Sequence, residues 1–120
     1  MGAVRDLLNQ RSRNRERLQK EAPNLYESFD DLVKRTYQSG ALDLKEKELM
    51  GVACSIATRS LPNLANHASN AVANGATRQE VLEAAGVGVE FGGGPSFIVV
   101  RDNLVEFLDE IMAERDGESA

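Results

Sequence analysis

His67 and Glu48 are the residues of this chain best placed to do chemistry. His67 is the only histidine among 120 residues, and it closes the stretch Arg59–His67, a run of small, polar and apolar side chains. Glu48 lies one helix upstream. A nonapeptide with Cys at its second and fifth positions and His at its ninth reads as a thiol redox site. Here those Cys positions hold Ser60 and Asn63. The chain keeps groups suited to general acid–base work and lacks the sulfur.

Each group also has a plainer reading. On its helix Glu48 shares a stripe with Leu44, Val52 and Ser55, while Lys45 and Lys47 serve the exposed side. A carboxylate on a core-facing stripe must find partners or lose its charge. The plainer reading puts it at the edge of the stripe, paired with Lys45 or Arg59. His67 shares a face with Asn63, Leu64, Asn70 and Ala71. There it is either a hydrogen-bonded core residue or a general acid or base. One histidine and one carboxylate fall short of the four ligands of a structural zinc site, so neither metal nor cofactor is expected. Cys54, at i±4 from Met50 and Thr58, reads as a small buried hydrophobe. Gly92–Gly94 before Pro95 reads as a helix–helix joint where backbone at Gly93 could approach a ligand. Ser60, Asn63 and Gly93 are therefore the candidate substrate contacts.

The elements that must position these groups are all helical. Apolar spacings of three and four residues predict helices over 3–20, 24–38, 43–58, 62–74, 77–91 and 96–114. Asp43 with Glu46 and Thr77 with Glu80 form capping-box pairs, Pro62 suits a first turn, and Gly40 and Gly75 suit left-handed stops. Phe97–Val100 is the nearest thing to a strand, but helical spacing continues through it. The last helix places Phe97, Val100, Leu104, Phe107, Leu108 and Ile111 on one face. Gly86 and Gly88 each cost a helix roughly 1 kcal/mol against Ala, which points to close helix–helix contact. The reading is an all-α domain of about six helices: a polar N-terminal helix or arm over 1–22, the helical domain over 23–115, and a frayed tail over 116–120.

Composition narrows the partners. Residues 1–21 carry six basic side chains against three acidic ones, a net of +3, which leaves −8 for the rest of a chain of formal charge −5. A basic arm on an acidic body can suggest nucleic acid. This arm mixes in acids and lacks stacking aromatics, so it reads as a solvated helix or as one that docks on another subunit. No nucleic acid and no membrane partner is expected, since no apolar run approaches the roughly 20 residues of a span. No secretory signal is visible, and a lone Cys54 fits a cytoplasmic protein.

Four segments carry a family resemblance: Gly40–Met50 (GALDLKEKELM), the stretch around His67, Asn74–Glu80 (NGATRQE), and Glu83–Ala85 with Gly92–Pro95. Over about residues 25–112 the chain resembles the carboxymuconolactone decarboxylase family, which includes the alkyl hydroperoxidase D-like proteins. The resemblance implies an all-helical homo-oligomer, a trimer or hexamer, with a small-molecule site near subunit contacts. In the peroxidase-like branch the site is Cys-x-x-Cys-x-x-x-His with a glutamate twelve residues before the first Cys. Carried onto this chain, the histidine is His67, the glutamate is Glu48, and the thiols fall on Ser60 and Asn63. Some members place a histidine between the cysteines, where this chain has Pro62. The resemblance thus implies that His67 and Glu48 share a pocket and that dithiol peroxidase activity does not transfer. For a carboxylate clamp, Arg59 and Arg101 are the candidates, each also readable as a surface charge. Three functions stay open: a carboxy-lyase or isomerase using His67 tuned by Glu48, a non-catalytic ligand-binding or structural homo-oligomer, and a thiol peroxidase working through Cys54.

Overall fold

Two capping boxes and two prolines set where the helices begin. The Asp43 carboxylate accepts from Glu46 N at 2.7 Å while Glu46 Oε1 accepts from Asp43 N at 3.2 Å. Thr77 and Glu80 do the same at 3.1 and 2.9 Å. These pairs satisfy N–H groups that a helix start leaves without partners. Pro23 and Pro62 stand in first turns. The computed structural model describes residues 2–119. Its helices are α1 (Ala3–Glu21), α2 (Pro23–Thr36), α3 (Leu44–Thr58), α4 (Leu61–Ala73), α5 (Arg78–Gly92), α6 (Gly94–Val99) and α7 (Val105–Ser119), with a π-helical segment over Val100–Leu104. No strand occurs among the described residues.

Three boundaries differ from expectation. α2 stops at Thr36 because Tyr37 leaves helical backbone (φ −92°, ψ 55°). Gly40 forms no left-handed cap; Gly75 and Gly93 are the described glycines with positive φ. The expected helix 96–114 is a longer helical path interrupted by the π segment. That segment takes up an extra residue and turns what precedes it off the stripe. Leu104, Phe107, Leu108 and Ile111 accordingly face the core, whereas Phe97 is exposed. Of the expected tail, residues up to Ser119 continue α7 and Ala120 lies outside the described residues.

The core is built by α3, α4, α5 and the last helix: Val52, Ile56, Leu64, Val81, Leu104 and Leu108 are fully buried. Gly88 lets α5 close on α3, since a Cβ there would strike the Ala53 carbonyl oxygen and come within 2.8 Å of Ile56 Cβ. Gly86 faces open space, so only one of these two glycines reflects close packing. α1 docks on its own chain. Val4 is buried, and the Val4 and Arg5 N–H groups donate to the Glu110 carboxylate at 3.0 and 2.9 Å, an anion at the positive end of the helix. α2 has no buried residue. It is held to α1 by Arg15, which donates to Tyr26 Oη and Asp30 Oδ1 at 2.9 and 3.0 Å. Among the described residues no helix is long and apolar enough to cross a membrane.

Candidate functional site

The α3–α4 turn is short: α3 ends on Arg59 in the left-handed region (φ 56°, ψ 40°), Ser60 is extended, and α4 begins at Leu61. The two helices therefore fold back on each other and bring Glu48 against His67. His67 Nδ1 lies 2.7 Å from Glu48 Oε1, and Glu48 is 6% exposed. Neither Lys45 nor Arg59 takes Glu48. Lys45 pairs with Glu80 at 3.0 Å, and Lys47 donates to the Thr36 and Gln38 carbonyls at 2.9 and 2.6 Å, tying down the α2–α3 connection. An ionised carboxylate offers only acceptors. With Glu48 ionised, Nδ1 carries the hydrogen of this bond, and in the neutral ring Nε2 keeps its lone pair for a reacting proton.

Two residues that the sequence reading did not single out fix the imidazole ring. Gly51, one turn after Glu48, leaves room for it: a Cβ there would come within 2.6 Å of His67 Cγ and Nδ1. Tyr37 stacks on the ring, with centroids 5.3 Å apart and planes 26° from parallel. Burial first, then the Glu48 carboxylate and Cys54, push the Tyr37 phenol above its ordinary value of 10.0, so it stays protonated as a donor. The signal for Gly51 was present as a mid-helix glycine at i+3 from Glu48. Tyr37 had no comparable signal, because the apolar spacing places it within the helix over 24–38, whereas α2 stops at Thr36.

These groups open on a cleft of about 400 Å³ between α2, α3 and α4, a volume suited to a small organic molecule. Phe29, Leu32, Val33 and Met50 give apolar wall, and Asn63, Asn66 and Ser55 line it beside His67. Ser55 Oγ is already committed to the Gly51 carbonyl at 2.7 Å. Of the expected substrate contacts, Asn63 lines the cleft. Ser60 is the N-cap of α4 and Gly93 the joint between α5 and α6, and neither is among the lining residues. Cys54 corrects the reading as a buried hydrophobe: it is exposed and lines the cleft. The stripe Met50–Cys54–Thr58 faces this opening and not the core, while Val52 and Ile56 face inward.

Neither Arg59 nor Arg101, the two candidates for a clamp, lines the cleft, and both stand as the surface charges they also read as. Arg101 forms two bonds to the adjacent Asp102, at 2.7 and 2.9 Å, and Arg59 is exposed at the end of α3. Arg11 of α1 is the arginine that lines it. Among the described residues no three of His, Cys, Asp and Glu come together to hold a metal ion.

The chain belongs to the carboxymuconolactone decarboxylase family, whose model matches residues 23–103. An uncharacterised protein from the cox locus of Paracoccus denitrificans is 32% identical over 85 residues, which are 71% of this chain and 76% of that one. A family protein from Legionella pneumophila, solved in its apo form, superposes with a TM-score of 0.80 at 31% identity, covering 88% of this chain and 95% of that chain. A Thermotoga maritima member, whose name carries a suggested part in an antioxidative response, gives a TM-score of 0.84 at 30% identity, covering 94% and 96%.

Proposed function

We propose that this member of the carboxymuconolactone decarboxylase family acts on a small organic molecule by acid–base chemistry, with His67 moving the proton and Glu48 orienting and tuning it. The buried 2.7 Å contact of His67 Nδ1 with Glu48 Oε1, beside a cleft of fitting size, carries this reading. Two balanced reactions suit the arrangement. In a decarboxylation the carbon–carboxylate bond breaks, CO₂ leaves, its electron pair passes into an adjacent carbonyl, and an imidazolium proton is delivered to carbon. In an isomerisation His67 Nε2 takes a proton from carbon beside a carbonyl and returns it one position along the conjugated system. Asn63 supports a substrate contact from the cleft wall.

A dithiol peroxidase cycle is not part of this reading, because it needs an attacking and a resolving thiol and the chain has one cysteine. The exposure of Cys54 on the cleft wall makes the point testable. Dithiol-driven hydroperoxide consumption should be equal in wild type and Cys54→Ser; activity lost in Cys54→Ser would put sulfur chemistry in the site. A homo-oligomer, trimer or hexamer, belongs to the same proposal. It is supported by the exposed side chains of Leu25, Phe29, Leu32, Phe91 and Phe97, more apolar surface than a solitary small domain ordinarily shows. Light scattering that returned a monomer at micromolar concentration would remove it.

The decisive assay incubates the protein in D₂O with a panel of small oxo acids and unsaturated lactones, reading CO₂ release and carbon-bound deuterium. His67→Gln should lower turnover by about 10²–10⁴-fold, the usual range for a general acid or base, and Glu48→Gln by less. Turnover unchanged in His67→Gln would overturn the acid–base role. Compounds that bind beside His67 without reacting would favour the non-catalytic binding protein.

A further inference from the structure

We infer that Arg11 is the specificity-determining residue of the His67 cleft, and that it selects a compact organic monocarboxylate with an apolar body. The inference rests on the functional reading above only in taking that cleft as the ligand site.

Arg11 is the cation of the cleft wall, facing the same opening as His67, Phe29 and Val33. It is half-buried, and among the described residues it feels the charges of Arg15 and Asp30 without a hydrogen bond or ion pair of its own. The neighbouring acid is already used. Asp30 accepts from Arg15 at 3.0 Å through Oδ1 and pairs with Lys34 at 2.9 Å through Oδ2. Glu48, the acid within the site, is held by His67. Burial, and next the charge of Arg15, lower the Arg11 guanidinium below its ordinary value of 12.5, with Asp30 and Tyr26 opposing more weakly. A guanidinium kept partly out of water and left without a bonded counter-ion is a preformed anion receptor.

The pieces around it choose the anion. A guanidinium presents a planar fork that matches a carboxylate with two parallel hydrogen bonds. Arg11 is the one lysine or arginine among the described residues that line this cleft, so it meets one negative charge there. A phosphate monoester would bring close to two, and the second arginine of the region is spent on Asp30. The rest of the wall, Phe29, Leu32, Val33 and Met50, is suited to a ring or short hydrocarbon. The anion is thereby held at one side of the cleft and the carbonyl-bearing body of the molecule is turned toward His67, the arrangement that the isomerisation needs. The clip of Arg15 on Tyr26 and Asp30, one helical turn along α1, is what holds Arg11 at this mouth. That gives the basic N-terminal helix a role within its own chain.

Because His67 is the only histidine, its ring resonances report the site without ambiguity. The full-length protein and its Arg11→Gln and Arg11→Lys variants are titrated with benzoate, benzamide and phenyl phosphate, following the His67 ring by NMR. Benzoate should shift the ring saturably and bind wild type about tenfold or more tighter than benzamide, the scale of one charge-assisted bidentate pair. Arg11→Gln should erase that advantage while leaving benzamide binding and the melting temperature as in wild type, and Arg11→Lys should restore part of it. Equal binding of benzoate and benzamide, no saturable benzoate shift, or unchanged benzoate binding in Arg11→Gln would each overturn the proposal. Tighter binding of phenyl phosphate than of benzoate would overturn the choice of a monocarboxylate. These titrations need no turnover, so loss of the acid–base reading would leave them unaffected, and their failure would leave the His67→Gln result standing.

Discussion

The α3–α4–α5 block and the α1–α2 pair approach the same cleft with opposite construction. The block gives His67 and Glu48 walls that cannot shift: Ile56, Leu64, Ala65, Ala68 and Ala85 are fully buried, and Gly51 and Gly88 remove side chains where backbones must close. α2 buries nothing, and its Leu25, Phe29 and Leu32 are each about 60% exposed. Its place is set by the Arg15 clip and by Lys47 on the carbonyls of Thr36 and Gln38. Groups that must meet within tenths of an ångström are built on close-packed helices, while Phe29 and Leu32, which give the cleft its apolar wall, stand on an outer helix that buries nothing.

The largest expected effect breaks this contrast if it fails. Leu64→Ala should cost about 2–5 kcal/mol of unfolding free energy, as a cavity in a tightly packed core does. Leu25→Ala on the outer helix should stay within about 0.5 kcal/mol. Chemical denaturation at low protein concentration reads both. A Leu25→Ala cost that rivals Leu64→Ala at high concentration and vanishes on dilution would show that a second copy covers the α2 face, and the contrast would then hold only for the separated chain.

A glycine pair sharpens the comparison within the block. Gly51→Ala must displace the His67 ring, and the overpacking costs about 1–3 kcal/mol, offset in part by the roughly 1 kcal/mol that Ala gains over Gly in a helix. The net stability change is therefore small beside the loss of ring position. Activity should fall nearly as far as in His67→Gln, with ring nitrogen shifts that no longer report the Glu48 bond. Gly86→Ala, facing open space, should instead raise stability by about 0.5–1 kcal/mol with the site unchanged. A Gly51→Ala protein with wild-type ring shifts would show that the ring has room the packing does not suggest.

The same glycines show how far the sequence carried. Helix positions were legible because caps and prolines act locally: Asp43, Thr77 and Pro62 each mark a start that depends on few distant contacts. Glu48 was legible as a carboxylate on a core-facing stripe, but periodicity left Lys45 or Arg59 as its partner, and only the family resemblance pointed to His67. What glycine spacing could not reveal was which glycine faces a neighbour: Gly86 opens on empty space, and Gly51 makes room for the His67 ring. Periodicity likewise gave Cys54 its stripe without saying whether core or cleft lay beyond it. Arg11 was hidden for a similar reason. It stands far in sequence from His67 on a helix that looks like a solvated arm, and only docking of α1 brings it to the cleft.

The smallest effect concerns the surface tie between α3 and α5. The backbone N–H of Thr77, and next Lys45, hold the Glu80 carboxyl below its ordinary value of 4.5. A folded-state value below the unfolded one adds stability above the unfolded value, and that contribution is lost as pH falls through the folded value. Glu80→Gln keeps an amide oxygen for the Thr77 cap and removes the charge. It should melt slightly below wild type at neutral pH, and the two curves should converge as pH falls through the lowered folded-state value and wild-type Glu80 is itself protonated. Both partners are solvated, so the gap at neutral pH should also shrink in high salt. If the block is held by packing, as its buried residues indicate, the site should not register the change: the His67 resonances of Glu80→Gln at neutral pH should overlay those of wild type. A shifted ring would mean that an exposed ion pair, and not the close-packed interior, sets the register of α3 against its neighbours.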